Sequence, residues 1–353
     1  MASLGAVGVG LIAAASVCLS SGCSSLGYYA QSVSGHLAIV EAAKPVPDWL
    51  ADPQTSPALK ERLLLSQRIR DYAVAELHEP DNASYRRYAD LKRSAAVWNV
   101  VAAPELSLTL QTWCFPVVGC VGYRGYYDQA EANAFAAGLR AQSLEVSVYG
   151  VPAYSTLGLL PGDAFADPLL NTFINYPEGE LARLIFHELA HQVAFAKGDT
   201  VFNESFATAV ERIGGARWLS EQASPQAREE YARHDARRSD FRELTARYRE
   251  RFNVLYASTA SDADKRAGKI ALMAELRADH ETLKRERWGG FSGYDGWFAR
   301  ANNASLGVLA AYNELVPNFE RLFEREGRDF SRFYAEIKRI AALPQAERRV
   351  ALP

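Results

Sequence analysis

Methionine, cysteine and histidine are scarce in this chain: 2, 4 and 6 residues among 353. So few cysteines exclude a disulfide-dense scaffold. Neither sign of charge dominates, since 39 Lys+Arg against 42 Asp+Glu leave −3. That balance lacks the basic footprint of a nucleic-acid binder, so no nucleic-acid partner is expected. No repeat of solenoid or propeller period is present. No charged residue precedes Glu41, and the apolar run Leu4–Leu19 is interrupted by Gly5, Gly8 and Gly10. The run falls short of the roughly 20 apolar residues that span a membrane. What is there is ordinary globular usage, 48% hydrophobic and 23% charged, which argues against disorder.

Leu4–Leu19 has the length of a secretory h-region and ends in Leu19-Ser20-Ser21-Gly22-Cys23. Small residues before a cysteine resemble a bacterial lipoprotein signal, which implies cleavage before Cys23 and lipidation of its thiol. A buried apolar N-terminal helix is the other reading of this run. On the lipoprotein reading, residues 1–22 are a signal peptide and residues 23–57 an anchor and extended linker. The expected location is the periplasmic face of the bacterial cell envelope, membrane-attached through the lipid. Ser24 points to the outer membrane by the enterobacterial sorting rule. Cys18 departs with the signal, leaving Cys114 and Cys120 around Phe115-Pro116-Val117-Val118-Gly119. In an oxidising periplasm such a pair is expected to form a disulfide. A pair of free thiols is the alternative, and metal binding by this interval the weaker one.

The fold class expected is α+β, mostly helical. Lys44–Pro57 holds four prolines and reads as an extended connector, with Ser56-Pro57 as N-cap and first helical residue. Ala95–Ala103 is a strand candidate, and Leu106, Leu108 and Leu110 alternate with polar residues as in a half-buried strand. Asp128–Gln142 reads as a helix and Val146–Gly158 opens with a strand, so residues 58–176 form a small mixed sheet with helices. Glu178–Lys197 reads as one helix between Pro177 and Gly198, and Phe202–Leu219 as a second, with a bend allowed at Gly214-Gly215. Residues 221–353 read as helical, with long solvated helices over Ala223–Trp288 and a flexible Gly289–Tyr294 loop. Residues 58–353 are taken as a single unit.

His187-Glu188-Leu189-Ala190-His191 fits H-E-x-x-H inside the first of these paired helices. Residues four apart share one helix face, so both imidazoles can reach a single ion, and Glu188 lies close enough to touch a water on it. Apolar Leu184, Ile185, Leu189 and Val193 mark the helix as buried. Two histidines and a glutamate there need a reason, because unpartnered polar groups cost a few kcal/mol each when buried. Glu204 follows a short Lys197–Val201 turn that folds it back toward the histidines. Glu211, seven residues on, shares its face and either orients a histidine or is itself the ligand.

The pairing of His187-Glu188-x-x-His191 with Asn203-Glu204-Ser205-Phe206-Ala207-x-x-x-Glu211 resembles the gluzincin zinc peptidases, and its Asn-Glu-x-Phe-Ala stretch is similar to the aminopeptidase N group. The interval from His191 to Glu204 is shorter than in those enzymes, and their Gly-x-Met-Glu-Asn segment is absent. More of the chain resembles a family of bacterial putative aminopeptidase lipoproteins. Gly22-Cys23, Leu26-Gly27-Tyr28-Tyr29, the Cys114–Cys120 segment running to Tyr123-Arg124-Gly125, the two motif helices and Asn302-Asn303-Ala304 carry it. The resemblance implies one Zn2+ held by His187, His191 and Glu204, with Glu211 and Asn203 around the ligands. It also implies Glu188 as general base on a zinc-bound water, and peptides as substrates. A Tyr or His donates to the oxyanion in related peptidases; Tyr294 is the expected donor here, with Tyr231 and His234 as others. Val146–Gly158 is an edge-strand candidate for backbone pairing with substrate. Asp163, Asp167 and Glu178 are acids that could meet a substrate ammonium. A zinc endopeptidase of envelope proteins and a non-catalytic peptide- or partner-binding lipoprotein are the competing functions.

Overall fold

The computed structural model describes residues 27–115, 119–153, 163, 166–310 and 313–353. The expected signal peptide, Cys23 and part of Val146–Gly158 lie outside these residues. The described chain is α+β and mostly helical. None of its helices is long and apolar enough to cross a membrane.

The segment expected as an extended linker is instead largely helical. Residues 27–42 form α1, and after the short strand β1 (Lys44–Pro45) comes α2 (Val46–Ala51). Pro47 sits in the first turn of α2, where no backbone N–H is needed, so a proline-rich stretch starts a helix rather than forbidding one. Ser56 caps α3 (Pro57–Ala75), its hydroxyl accepting from Leu59 N. The strands make three small sheets instead of one. β1, β2 (Arg87–Ala89) and β8 (Leu169–Leu170) form the mixed sheet. β6 (Arg124–Tyr126), β3 (Val97–Pro104) and β7 (Leu144–Val151) form an antiparallel one with β7 at its edge. β4 (Trp113–Phe115) and β5 (Gly119–Val121) form a hairpin in which Cys114 and Cys120 face each other and are disulfide-linked.

The Leu106, Leu108, Leu110 alternation forms no strand. These residues lie in a loop whose backbone packs on Gly307. A Cβ there would meet Leu108 O at 2.5 Å, so the alternation buries leucines against a helix instead of a ladder. Helix α4 (Gln129–Arg140) is capped by Asp128 and covers β3 and β7.

Helices α5 (Glu178–Val193) and α6 (Thr200–Glu221) pack against each other at the centre. Glu178 and Glu180 in the first turn complement the α5 dipole. Leu181, Ile185, Phe186 and Leu189 are wholly buried on its core side. The helix ends at Val193, four residues before the expected Lys197. Asn203 provides the reason: its side-chain Oδ1 accepts from Ala196 N at 2.7 Å and its Nδ2 donates to Ala196 O at 2.9 Å. That pair takes over the backbone groups of a released turn. Asp199 then caps α6 by accepting from Phe202 N. Helix α6 runs unbroken through Gly214-Gly215, which serve close packing: a Cβ on Gly214 would lie 2.6 Å from Leu77 Cδ1. Phe206 on α6 is fully buried against Phe319 of α11 (Val316–Arg325) and against Phe333 and Tyr334 of α12 (Phe330–Ala341). Burial of such a ring stabilises by about 2–3 kcal/mol. Two long helices, α7 (Pro225–Ala257) and α8 (Asp262–Glu286), form a hairpin with its own core of Phe241, Leu244, Phe252 and Leu276.

Candidate metal centre

Helix periodicity puts Glu180, Arg183, Leu184, His187, Glu188 and His191 along one face of α5, and all six line a cavity of about 800 Å³. Helix α6 contributes Glu204, Thr208 and Glu211, and the antiparallel sheet with its neighbouring hairpin contributes Asn99, Val121 and Tyr123.

Both histidines aim one ring nitrogen at the same carboxylate oxygen. His187 Nε2 lies 3.4 Å and His191 Nε2 3.8 Å from Glu204 Oε2. The three ligand atoms lie within 4.8 Å of one another. Donors at about 2.0–2.1 Å from a tetrahedral Zn2+ stand roughly 3.4 Å apart, so this spacing suits a shared ion better than direct hydrogen bonds. The donor set, two imidazoles and one carboxylate, fits a divalent cation with a coordination position to spare.

The electrostatics show how much the cluster relies on charge compensation. Burial disfavours charge on His187, yet the facing carboxylates of Glu204 and Glu211 override this and hold its pKa well above the ordinary value. Burial alone dominates at His191 and pushes it down to about 4. Burial would raise Glu204, but His191 and His187 hold it below the usual carboxylate range. Desolvation would raise half-buried Glu211 too, but Arg183 with His187 brings it down to about 2. Glu188 goes the other way. Burial, opposed by His187 and reinforced by Glu204, pushes its carboxyl up to about 7.

Glu211 reaches His187 on the side opposite Glu204, with Oε2 at 3.1 Å from Nδ1. Its other oxygen accepts from Arg183, and Arg183 also donates to the Tyr231 hydroxyl at 2.9 Å. Glu211 thus buttresses His187 while Glu204 faces both histidines. Asn203 spends its amide on Ala196, so it fixes the turn that delivers Glu204 instead of touching the histidines.

The two tyrosines of interest fall at different places. Tyr294 lines the cavity, but its ring stacks on Phe241 with centroids 4.6 Å apart, and the charges around it are Arg238, Glu180 and Arg242. Tyr123, next to the disulfide hairpin, is half-buried, and desolvation, with Glu204 and Glu188 among the charges adding to it, raises its pKa. The family resemblance includes Tyr123 beside Arg124-Gly125, but no motif spacing assigns it to the cavity. Tyr231 and His234 do not line the cavity, nor do Asp163, Asp167 and Glu178. Asp163 is exposed, Asp167 accepts from Gln192, and Glu178 accepts from Trp218 Nε1. Glu180 does line the cavity, held by Arg238 at 2.6 Å.

An α+β chain with a His–His–Glu cluster between two packed helices is a candidate metal-dependent hydrolase. Comparison with protein-family models narrows that class. The model of the family described as "Putative aminopeptidase" matches residues 27–352, and the chain belongs to that family. No curated protein and no solved structure matches the chain.

Proposed function

We propose that the protein is a zinc-dependent aminopeptidase. The observation that carries this reading is the convergence of His187 Nε2 and His191 Nε2 on Glu204 Oε2, with a half-buried Glu188 next to His187 in the chain. Family membership supports peptide substrates.

His187, His191 and Glu204 would hold the ion. When bound, Zn2+ supplies Lewis acidity, lowering the pKa of water toward neutrality and polarising a carbonyl. Glu188 is the general base: its carboxylate takes the proton of the attacking water as the new C–O bond forms. As the C–N bond breaks, the same carboxyl returns that proton to the leaving amine, so the step balances without another reagent. A carboxyl whose pKa lies near 7 in its surroundings is suited to both transfers. The Tyr123 phenol, protonated at neutral pH because burial raises its pKa, is the hydrogen-bond donor we assign to the developing oxyanion. Tyr294, stacked on Phe241 in the cavity lining, is assigned to substrate contact. Edge strand β7 is assigned to backbone pairing with an extended peptide. Location in the cell envelope, through lipidated Cys23, is proposed on the Leu4–Cys23 pattern.

The test is to load the protein with zinc, quantify the bound metal and follow defined peptides by mass spectrometry. Stepwise loss of single N-terminal residues is expected. Internal cuts would make it an endopeptidase, and no hydrolysis with a filled site would overturn the reading.

A further inference from the structure

Four guanidinium groups line the same cavity on its α7 side: Arg183, Arg212, Arg238 and Arg242. Three have acidic or polar partners in the protein. Arg183 holds Glu211 and the Tyr231 hydroxyl. Arg238 makes two hydrogen bonds to Glu180, at 2.6 and 2.9 Å, and one to Asp235 at 3.1 Å. Arg212 donates to Asn313 Oδ1 at 3.1 Å and has Glu320 at 3.8 Å, while its Nε is buried without a partner. Arg242 is different. It is half-buried, and among the described residues no carboxylate stands within ion-pair distance of it.

Arg238 and Arg242 are four residues apart, on one face of α7, and Arg238 is anchored to α5 through Glu180. That anchor fixes the helix that presents Arg242 to the cavity. Desolvation lowers the Arg242 pKa, Arg212, Arg238 and Arg183 lower it further, and Asp235 opposes them. A desolvated cation among cations is costly unless an anion joins it. A planar guanidinium is matched to the two oxygens of a carboxylate.

We propose that Arg242, flanked by Arg212, is a carboxylate-binding subsite of the candidate active-site cavity. The cavity then takes peptides with an anionic group at this end. The carboxylate is either the C-terminus of a short peptide or an acidic side chain. This proposal rests on the peptidase reading for its choice of ligand.

Binding separates it from that reading. Inert Glu188→Gln protein, loaded with zinc, is titrated calorimetrically with two peptide pairs. Tetra-alanine as free acid and as C-terminal amide tests the chain terminus. Ala-Ala-Glu-Ala amide against Ala-Ala-Gln-Ala amide tests the side chain. A charge-assisted bidentate contact predicts that at least one charged member binds about 10- to 100-fold more tightly than its neutral counterpart. Adding Arg242→Gln should bring that ratio to about one. If this variant does not fold, Arg242→Lys replaces it, and loss of the fork geometry should reduce the ratio at least about threefold. Ratios below about twofold for both pairs, or a preference unaffected by the Arg242 variant, overturn the subsite. A charge preference in a protein that never hydrolyses peptides removes the peptidase reading and leaves the subsite standing. Hydrolysis without charge preference does the reverse.

Discussion

Glu211 Oε2 lies 3.1 Å from His187 Nδ1. The contact fixes which ring nitrogen of His187 remains to face Glu204, and it makes that nitrogen a better donor. Glu211→Gln keeps the shape but removes the charge. Zinc affinity should fall about 10- to 100-fold, measured by competition with a chromophoric chelator. An unchanged affinity would mean that Glu211 serves Arg183 alone.

Glu188 is no member of the His–His–Glu cluster, so Glu188→Gln should separate chemistry from metal loading. Peptidase turnover is expected to drop by at least about 100-fold. Bound zinc should stay at the wild-type level, read by elemental analysis. His191→Ala should instead lose zinc. Equal metal content in wild type and His191→Ala would remove the basis for the mechanism.

The depressed pKa of Glu211 links the cluster to acid stability. Burial alone would raise it, but Arg183 and His187 bring it to about 2, below an unfolded value of roughly 4.3. A carboxyl depressed by folding contributes stability that is present above the unfolded pKa and is lost as pH falls through the folded one. The stability difference between wild type and Glu211→Gln should therefore be full above about pH 5, shrink below pH 4 and nearly vanish near pH 2. Urea unfolding of the metal-free proteins at stepped pH reads it. A pH-independent difference would mean that packing, not charge, makes the Glu211 contribution.

The geometry of the candidate site was legible because it is local. His187, Glu188 and His191 share one helix turn, and Glu204 is brought back by a turn that Asn203 and Asp199 fasten. The role of Asn203 was not legible, since its partner is the Ala196 backbone and no spacing rule points there. Arg242 and Tyr123 were missed for the same reason: α7 and the β5–β6 segment reach the cavity through tertiary packing alone. Local pattern misled at two places. The alternating leucines 106, 108 and 110 satisfy strand periodicity but bury against Gly307, and the prolines before Ser56 open a helix as readily as they extend a linker. In the first, a tertiary neighbour outweighed the sequence pattern; in the second, proline's fitness for the first helical turn did.

Gly215 offers the last prediction, because a methyl there acts on the centre through one intermediary. A Cβ at Gly215 would lie 2.6 Å from Arg183 Cγ and 3.3 Å from its Cδ. Arg183 is buried and clasped by Glu211 and Tyr231, so it has little room to retreat. Overpacking of this kind costs about 1–3 kcal/mol. Displacing the guanidinium also loosens Glu211 from His187, so Gly215→Ala should lower both the unfolding midpoint and zinc affinity. Gly138 is the control: it is exposed on α4, and a Cβ there meets nothing within 4 Å. Gly138→Ala should stabilise by up to about 1 kcal/mol, from helix propensity alone, and leave zinc affinity alone. Matched chelator titrations and thermal melts of the two variants decide the matter. A Gly215→Ala protein that is less stable but binds zinc as tightly as wild type would show that Arg183 does not transmit its position to the ligand histidine.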